Sequence, residues 1–229
     1  MGQYYRGVVL GKTSKKKSKF IVRQAFCCYA HHTGAKLTEH SYVGVWYINE
    51  YEKALAEEFH GYPFVWIGDY ADTKFDVDGY TAANEFIDKE IHKNAISQGY
   101  TKNVNGGWGA EYIRNGKTAF EKDFAVKTPL KDFIKYKYIV NYTKKQYIRI
   151  PDKKGEIHPL PLLCADGNGR GGGDYEGVNM QLVGSWAYDE IGVTNTIPEN
   201  IKTELVATFR ETYDGGDSSV NDFILIHKE

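Results

Sequence analysis

Sustained helical periodicity is rare in this chain, and that scarcity constrains the fold more than any other feature. It is clearest over residues 81–98 (TAANEFIDKEIHKNAISQ), where Ala83, Ile87, Ile91 and Ala95 recur every fourth position and Gly99 lies just past the end. That is an amphipathic helix with a glycine stop. A shorter helix is predicted over 49–59 (NEYEKALAEEF). Asn49 can cap it, Glu52 follows three residues later as in a capping box, and Ile48, Tyr51, Leu55 and Phe59 share a face.

The rest reads mainly as short β-branched and aromatic segments between turn residues. Residues 3–10 and 19–26 form a predicted hairpin around the lysine-rich tip Lys12–Lys19, and residues 43–48 and 63–70 read as strands, the second a buried one. KYIVNY and KQYIRI, joined near Thr143-Lys144, make a second hairpin. Residues 181–186, 189–194, 204–211 and 223–226 read as extended, with a turn at 214–219 (DGGDSS). The fold class expected is α+β: strand-rich, mostly antiparallel sheet or sheets, with two principal helices at about 49–59 and 81–98. A chain of 229 residues suits one domain over 1–229, with a two-lobed arrangement, 1–100 and 136–229 joined by a glycine-containing link (NVNGGWG, 103–109), left open. Tyr42-Val43-Gly44-Val45-Trp46 is echoed by Leu182-Val183-Gly184-Ser185-Trp186, which leaves duplication as an alternative to chance.

Composition narrows the function classes. A net charge of −1 argues against a dedicated nucleic-acid binder, and the basic run at 12–19 reads as a solvated hairpin tip. Cys27, Cys28 and Cys164 do not make a disulfide framework and fit a reducing compartment. No apolar run is long enough to span a bilayer, the N-terminus lacks a signal-peptide build, and Arg6 spoils a myristoylation reading of Met1-Gly2. The expectation is a cytoplasmic protein.

The most chemically suggestive stretch is Gly167–Asp174 (GNGRGGGD). Its glycines can take positive φ and turn several N–H groups to one side, and Arg170 adds a planar charged fork suited to phosphate or carboxylate. Asp166, Asp174 and Glu176 weigh against a bare phosphate cradle. The letters match G-x-G-x-x-G, but no amphipathic helix follows, so a dinucleotide site is not implied. Two readings stay open. One is a ligand site built from Arg170, Gly171, Gly172, Gly173 and Asp174, with Asp69, Asp72 and His158 nearby. The other is a surface loop in which Arg170 pairs with Asp174.

Other chemistries have thinner support. Glu39-His40, Asp69 with Asp72, His158, and Asp166 with Asp174 could supply metal ligands, but no H-E-x-x-H or C-x-x-C spacing is present, and no metal is expected. His31-His32 would point to opposite sides of a strand. Ser185 lacks a nucleophile elbow, Cys164 in PLPLLCAD reads as a buried inert thiol, and His158 before Pro159 reads as a surface histidine. Turn chemistry at a strand end suffices for Asp69 and Asp72. Trp46, Trp66, Trp108 and Trp186 read as core, with Trp108 the one to test for exposure.

The opening Met1-Gly2-Gln3-Tyr4-Tyr5, the segment 37–42 (LTEHSY), the block 66–72 (WIGDYAD), and 168–175 (NGRGGGDY) with 183–186 (VGSW) together resemble a group of uncharacterised bacterial and phage proteins beginning MGQYY. That resemblance implies a bacterial or phage origin and brings no activity, cofactor or catalytic residue. Three functional readings follow from the residues. The first is a non-enzymatic recognition protein binding a protein partner or small anionic ligand through 167–174. The second is an enzyme on a phosphate-containing or glycosidic substrate using His158 and Asp69, Asp72 or Asp174. The third is an assembly role using the 18 tyrosines.

Overall fold

The computed structural model describes residues 3–12, 20–26, 34–71, 78–103, 111–120, 135–167, 182–212 and 220–228, with backbone alone for 38, 39, 207–212 and 220–228. A strand-rich, largely antiparallel sheet with helices on both faces makes it an α+β fold. The strands are β1 (Tyr5–Leu10), β2 (Val22–Ala25), β3 (Tyr62–Gly68), β4 (Thr101–Asn103), β5 (Glu111–Arg114), β6 (Lys117–Phe120), β7 (Tyr138–Asn141), β8 (Gln146–Arg149), β9 (Ala165–Asp166), β10 (Glu190–Thr194), β11 (Thr203–Thr212) and β12 (Val220–Lys228). The helices are α1 (Leu37–His40), α2 (Trp46–Ala56), α3 (Gly79–Ser97) and α4 (Pro159–Leu163).

The main sheet runs β12-β11-β8-β7-β10-β3-β1-β2, with β9 also paired to β3. It therefore takes strands from both the 1–100 and 136–229 stretches. Among the described residues only β11 with β8 and β3 with β9 run parallel. β3 and β1 lie inside the sheet toward its β2 edge and are buried along nearly their whole length, which explains their almost continuous apolar composition. Their side chains split between two cores. Tyr5, Val9, Phe64 and Trp66 join α2 and α4 on one face, whereas Val8, Leu10, Val65 and Ile67 meet the α3 stripe Ala83, Ile87, Ile91 and Ala95 on the other. Gly7 is small because the rings of Trp66 and Tyr51 fill the space a Cβ would need, and the Tyr51 hydroxyl donates to the Gly7 carbonyl.

The 81–98 helix is found as α3, extended back to Gly79 because Asp78 accepts from the Tyr80 and Thr81 amides at 3.0 and 3.3 Å. Both predicted hairpins form. The strand expected over 43–48 is corrected. A turn over Tyr42–Val45 leads straight into α2, which starts three residues before the expected Asn49 cap. The helical spacing of Tyr47, Ile48, Tyr51 and Leu55 against one core outweighs the β-branched character of 43–48. Residues 182–189 likewise form successive turns rather than a strand. Residues 111–120, unassigned above, form β5 and β6 around Asn115-Gly116 (φ 50° and 72°), a mirror-image hairpin turn, and pair with β4 as a separate small sheet.

The echo between 42–46 and 182–186 has a local explanation. Val45 N–H donates to Tyr42 O and Ser185 N–H to Leu182 O, both at 3.1 Å, with Gly44 and Gly184 at φ 87° and 74°. The shared letters encode the same tight turn with a glycine in its third place. The two tryptophans then diverge: Trp186 is buried and donates to Gln146 Oε1 at 2.8 Å, whereas Trp46 is 36% exposed.

Candidate functional site

The glycine-rich stretch leaves the sheet where β9 ends, beside the end of β3 and the start of β1. Arg170, Gly171, Gly172, Gly173 and Asp174 lie outside the described residues, as does Asp72; the root of the stretch is described. Gly167 sits so close to β1 that a Cβ there would stand 2.5 Å from both Gln3 Oε1 and the Tyr5 hydroxyl oxygen, which themselves share a 2.6 Å hydrogen bond. Gly68, at the end of β3, packs against the same two side chains. Two glycines thus let three strand ends converge on Gln3 and Tyr5.

Asp69 stands at this convergence. Its amide donates to Tyr4 O at 2.9 Å and its Oδ1 accepts from Tyr4 N–H at 3.1 Å, a two-point clamp on the entry to β1. Turn chemistry at a strand end accounts for it. Asp166 is close by in β9 and accepts from the Tyr188 hydroxyl. Burial, and then that carboxylate, push the Tyr188 phenol far above its ordinary range, so it stays a neutral donor.

One side chain at this end of β1 carries no marker in the sequence beyond being the lone charge in YRGVVL. Arg6 is wholly buried, and Nε, Nη1 and Nη2 have no hydrogen-bond partner among the described residues. Its guanidinium lies 5.5 Å from the centre of the Tyr80 ring and also makes a hydrogen-bonding contact to the Tyr80 hydroxyl, although no Arg6 N–H reaches good hydrogen-bond geometry. Tyr80, in the first turn of α3, accepts from Gly34 N–H at 3.2 Å. Burial raises its pKa, the Arg6 charge and its contact with the hydroxyl oppose that rise, and Asp69 adds to it. Arg6, Tyr80 and Asp69 therefore share one neighbourhood where β1 starts and β3 ends.

His158 lies elsewhere, and its expected surface position is corrected: it is fully buried. It caps the first turn of α4, with Nδ1 accepting from Leu160 N–H at 3.3 Å, so Nε2 carries the proton that faces Glu52 Oε1 at 3.1 Å. Ser41 is adjacent through His158 N–H to Ser41 O at 2.8 Å, but its hydroxyl makes no hydrogen bond among the described residues. Both ring nitrogens of His158 are engaged away from Ser41. The Ser, His and Glu therefore form a buried structural cluster with no nucleophile–base contact.

Cys164 is a free, fully buried thiol whose pKa burial pushes well up, matching the inert reading. Among the described residues no group of three or more His, Cys, Asp or Glu side chains is arranged to hold a metal ion, and no helix is long and apolar enough to cross a membrane. Trp66 and Trp186 are core; Trp108 and His31-His32 lie outside the described residues. Set against known proteins, the chain matches no family model, no curated protein and no solved structure.

Proposed function

We propose that this is a recognition protein, not a catalyst, and that it binds an anionic group, on a small ligand or a partner protein, where β1, β3 and β9 end. The observation that carries this reading is Arg6. A guanidinium withdrawn from water with no well-formed hydrogen bond among the described residues costs several kcal/mol, and the Tyr80 ring and hydroxyl return only part of that. A carboxylate or phosphate oxygen reaching the guanidinium would supply the missing acceptors in the geometry arginine favours. The glycine-rich stretch starts at the same strand ends, which is why its Arg170 belongs in the test of this reading. Engagement requires the cover over Arg6 to part, which makes binding and local opening one event.

Thermal unfolding of the wild-type protein with orthophosphate, nucleotides, sugar phosphates and dicarboxylates tests the reading. A ligand present at about 100 times its Kd stabilises by ~2.7 kcal/mol. Arg170→Ala should weaken the effect. No member of the panel shifting the midpoint would remove the small-ligand branch, and failure of immobilised acidic and phosphorylated peptides to bind would remove the protein branch.

A further inference from the structure

We propose that β12 is a self-association edge, pairing antiparallel with β12 of a second copy of this chain about a two-fold axis at Leu225. β11 is joined to β8 only through Thr203, Glu204 and Leu205, while its ladder with β12 continues unbroken from Glu204–Lys228 to Thr212–Val220. Among the described residues the hairpin therefore runs on as a two-stranded ribbon, which is marginal in water by itself. β12 ends the main sheet and pairs with no strand except β11 among the described residues. It has no proline, no bulge in its register and an apolar run FILI at its centre, with its charges, Asp222 and Lys228, confined to either side of that run.

Charge order selects a second copy as the occupant. Within the hairpin, Arg210 is the register partner of Asp222, and Glu204 that of Lys228. Centring the two-fold on Leu225 sets Asp222 opposite Lys228 of the second copy. One rung then reads Arg210, Asp222, Lys228 and Glu204 across the four strands, with signs alternating throughout. The symmetric rung repeats it at the other end. Between them the rungs are predominantly apolar, with Leu225 meeting Leu225 at the axis and Phe223 and Ile224 following. Opposite-charge cross-strand pairs favour a register and like-charge pairs disfavour it. A closed two-fold contact uses one patch twice, and a net charge of −1 per chain gives little repulsion between copies.

Sedimentation equilibrium across micromolar to near-millimolar protein tests this. The wild type should show a monomer–dimer equilibrium. Arg210→Asp with Asp222→Lys keeps the pair inside the hairpin, reverses both intermolecular pairs, and should raise the dimer Kd by about tenfold or more. Adding Glu204→Lys with Lys228→Glu restores alternation and should restore the dimer. Unchanged circular dichroism and thermal midpoint at dilute, monomeric concentration verify that each variant is folded; should the double variant unfold, Asp222→Asn and Lys228→Gln, which weaken the pair without reversing it, replace it. A wild type that stays monomeric, or a dimer indifferent to both charge reversals, overturns the proposal.

Discussion

Replacing Arg6 by methionine should make the ligand-free protein more stable. The side chain is fully buried, its three guanidinium nitrogens have no well-formed hydrogen bond among the described residues, and Tyr80, its ring centre 5.5 Å away, is the compensating contact described. Stranding such a charge costs several kcal/mol, against which a desolvated cation–π contact returns about 2 kcal/mol. Methionine keeps an unbranched stem on the face of β1 that Val8 shares and vacates the guanidinium volume, a void costing about 1 kcal/mol. The balance is a gain of roughly 1–3 kcal/mol. At this chain length each kcal/mol moves the thermal midpoint by about 2–4 °C. Urea unfolding of Arg6→Met and wild type in a buffer free of phosphate, sulfate and carboxylates measures it, with equal m-values showing that the gain belongs to the folded state. Adding a ligand identified by the thermal panel should stabilise the wild type alone and shrink or invert the difference. A variant less stable than wild type by more than about 1 kcal/mol in the anion-free buffer would refute the reasoning, because it would mean Arg6 is already satisfied.

Three further outcomes follow from the same geometry. His158→Ala leaves the buried Glu52 carboxylate without its partner and uncaps α4, and should cost about 3–5 kcal/mol by denaturant titration; a loss below about 1 kcal/mol would show the pair to be dispensable. Gly167→Ala forces a methyl against Gln3 and Tyr5 and should cost about 1–3 kcal/mol, whereas alanine at Gly116, where a Cβ meets nothing within 4 Å, bears only its φ strain. Tyr188, Tyr80, Tyr136, Tyr142 and Tyr147 all have pKa values raised, chiefly by burial. A raised phenol holds its proton more tightly folded than unfolded, so this stability is fully present below the unfolded value near 10 and lost as pH climbs above it. Tyr188→Phe should flatten that alkaline loss while costing about 1 kcal/mol at neutral pH through the orphaned Asp166; an unaltered alkaline profile would count against Tyr188 as a contributor.

Much of the architecture was legible because it is written in local periodicity. The four-residue stripe of α3, the two hairpins and the fully apolar β3 each follow from spacing within about a dozen residues. Where 43–48 was expected to be a strand, β-branched content competed with helical spacing, and the choice belonged to the core that Tyr47 and Tyr51 pack into. The Asn115-Gly116 hairpin was readable and went unassigned. Of the expected site, Asp69 is placed beside the root of the glycine stretch, and His158 is placed in an interior pair with Glu52 instead.

By itself the chain determined its elements and the turns between them, since those depend on side-chain period and on where glycine can take positive φ. It also determined that a bare, glycine-rich segment would follow Asp166. Only the tertiary structure decided that Arg6 is buried with no well-formed hydrogen bond among the described residues. Its chain neighbours Tyr5 and Gly7 belong to the opposite face of β1, and the ring that covers it arrives from α3. Whether a charged group in a strand meets water, an acid or nothing is settled by what packs over it, and that is information no local pattern carries.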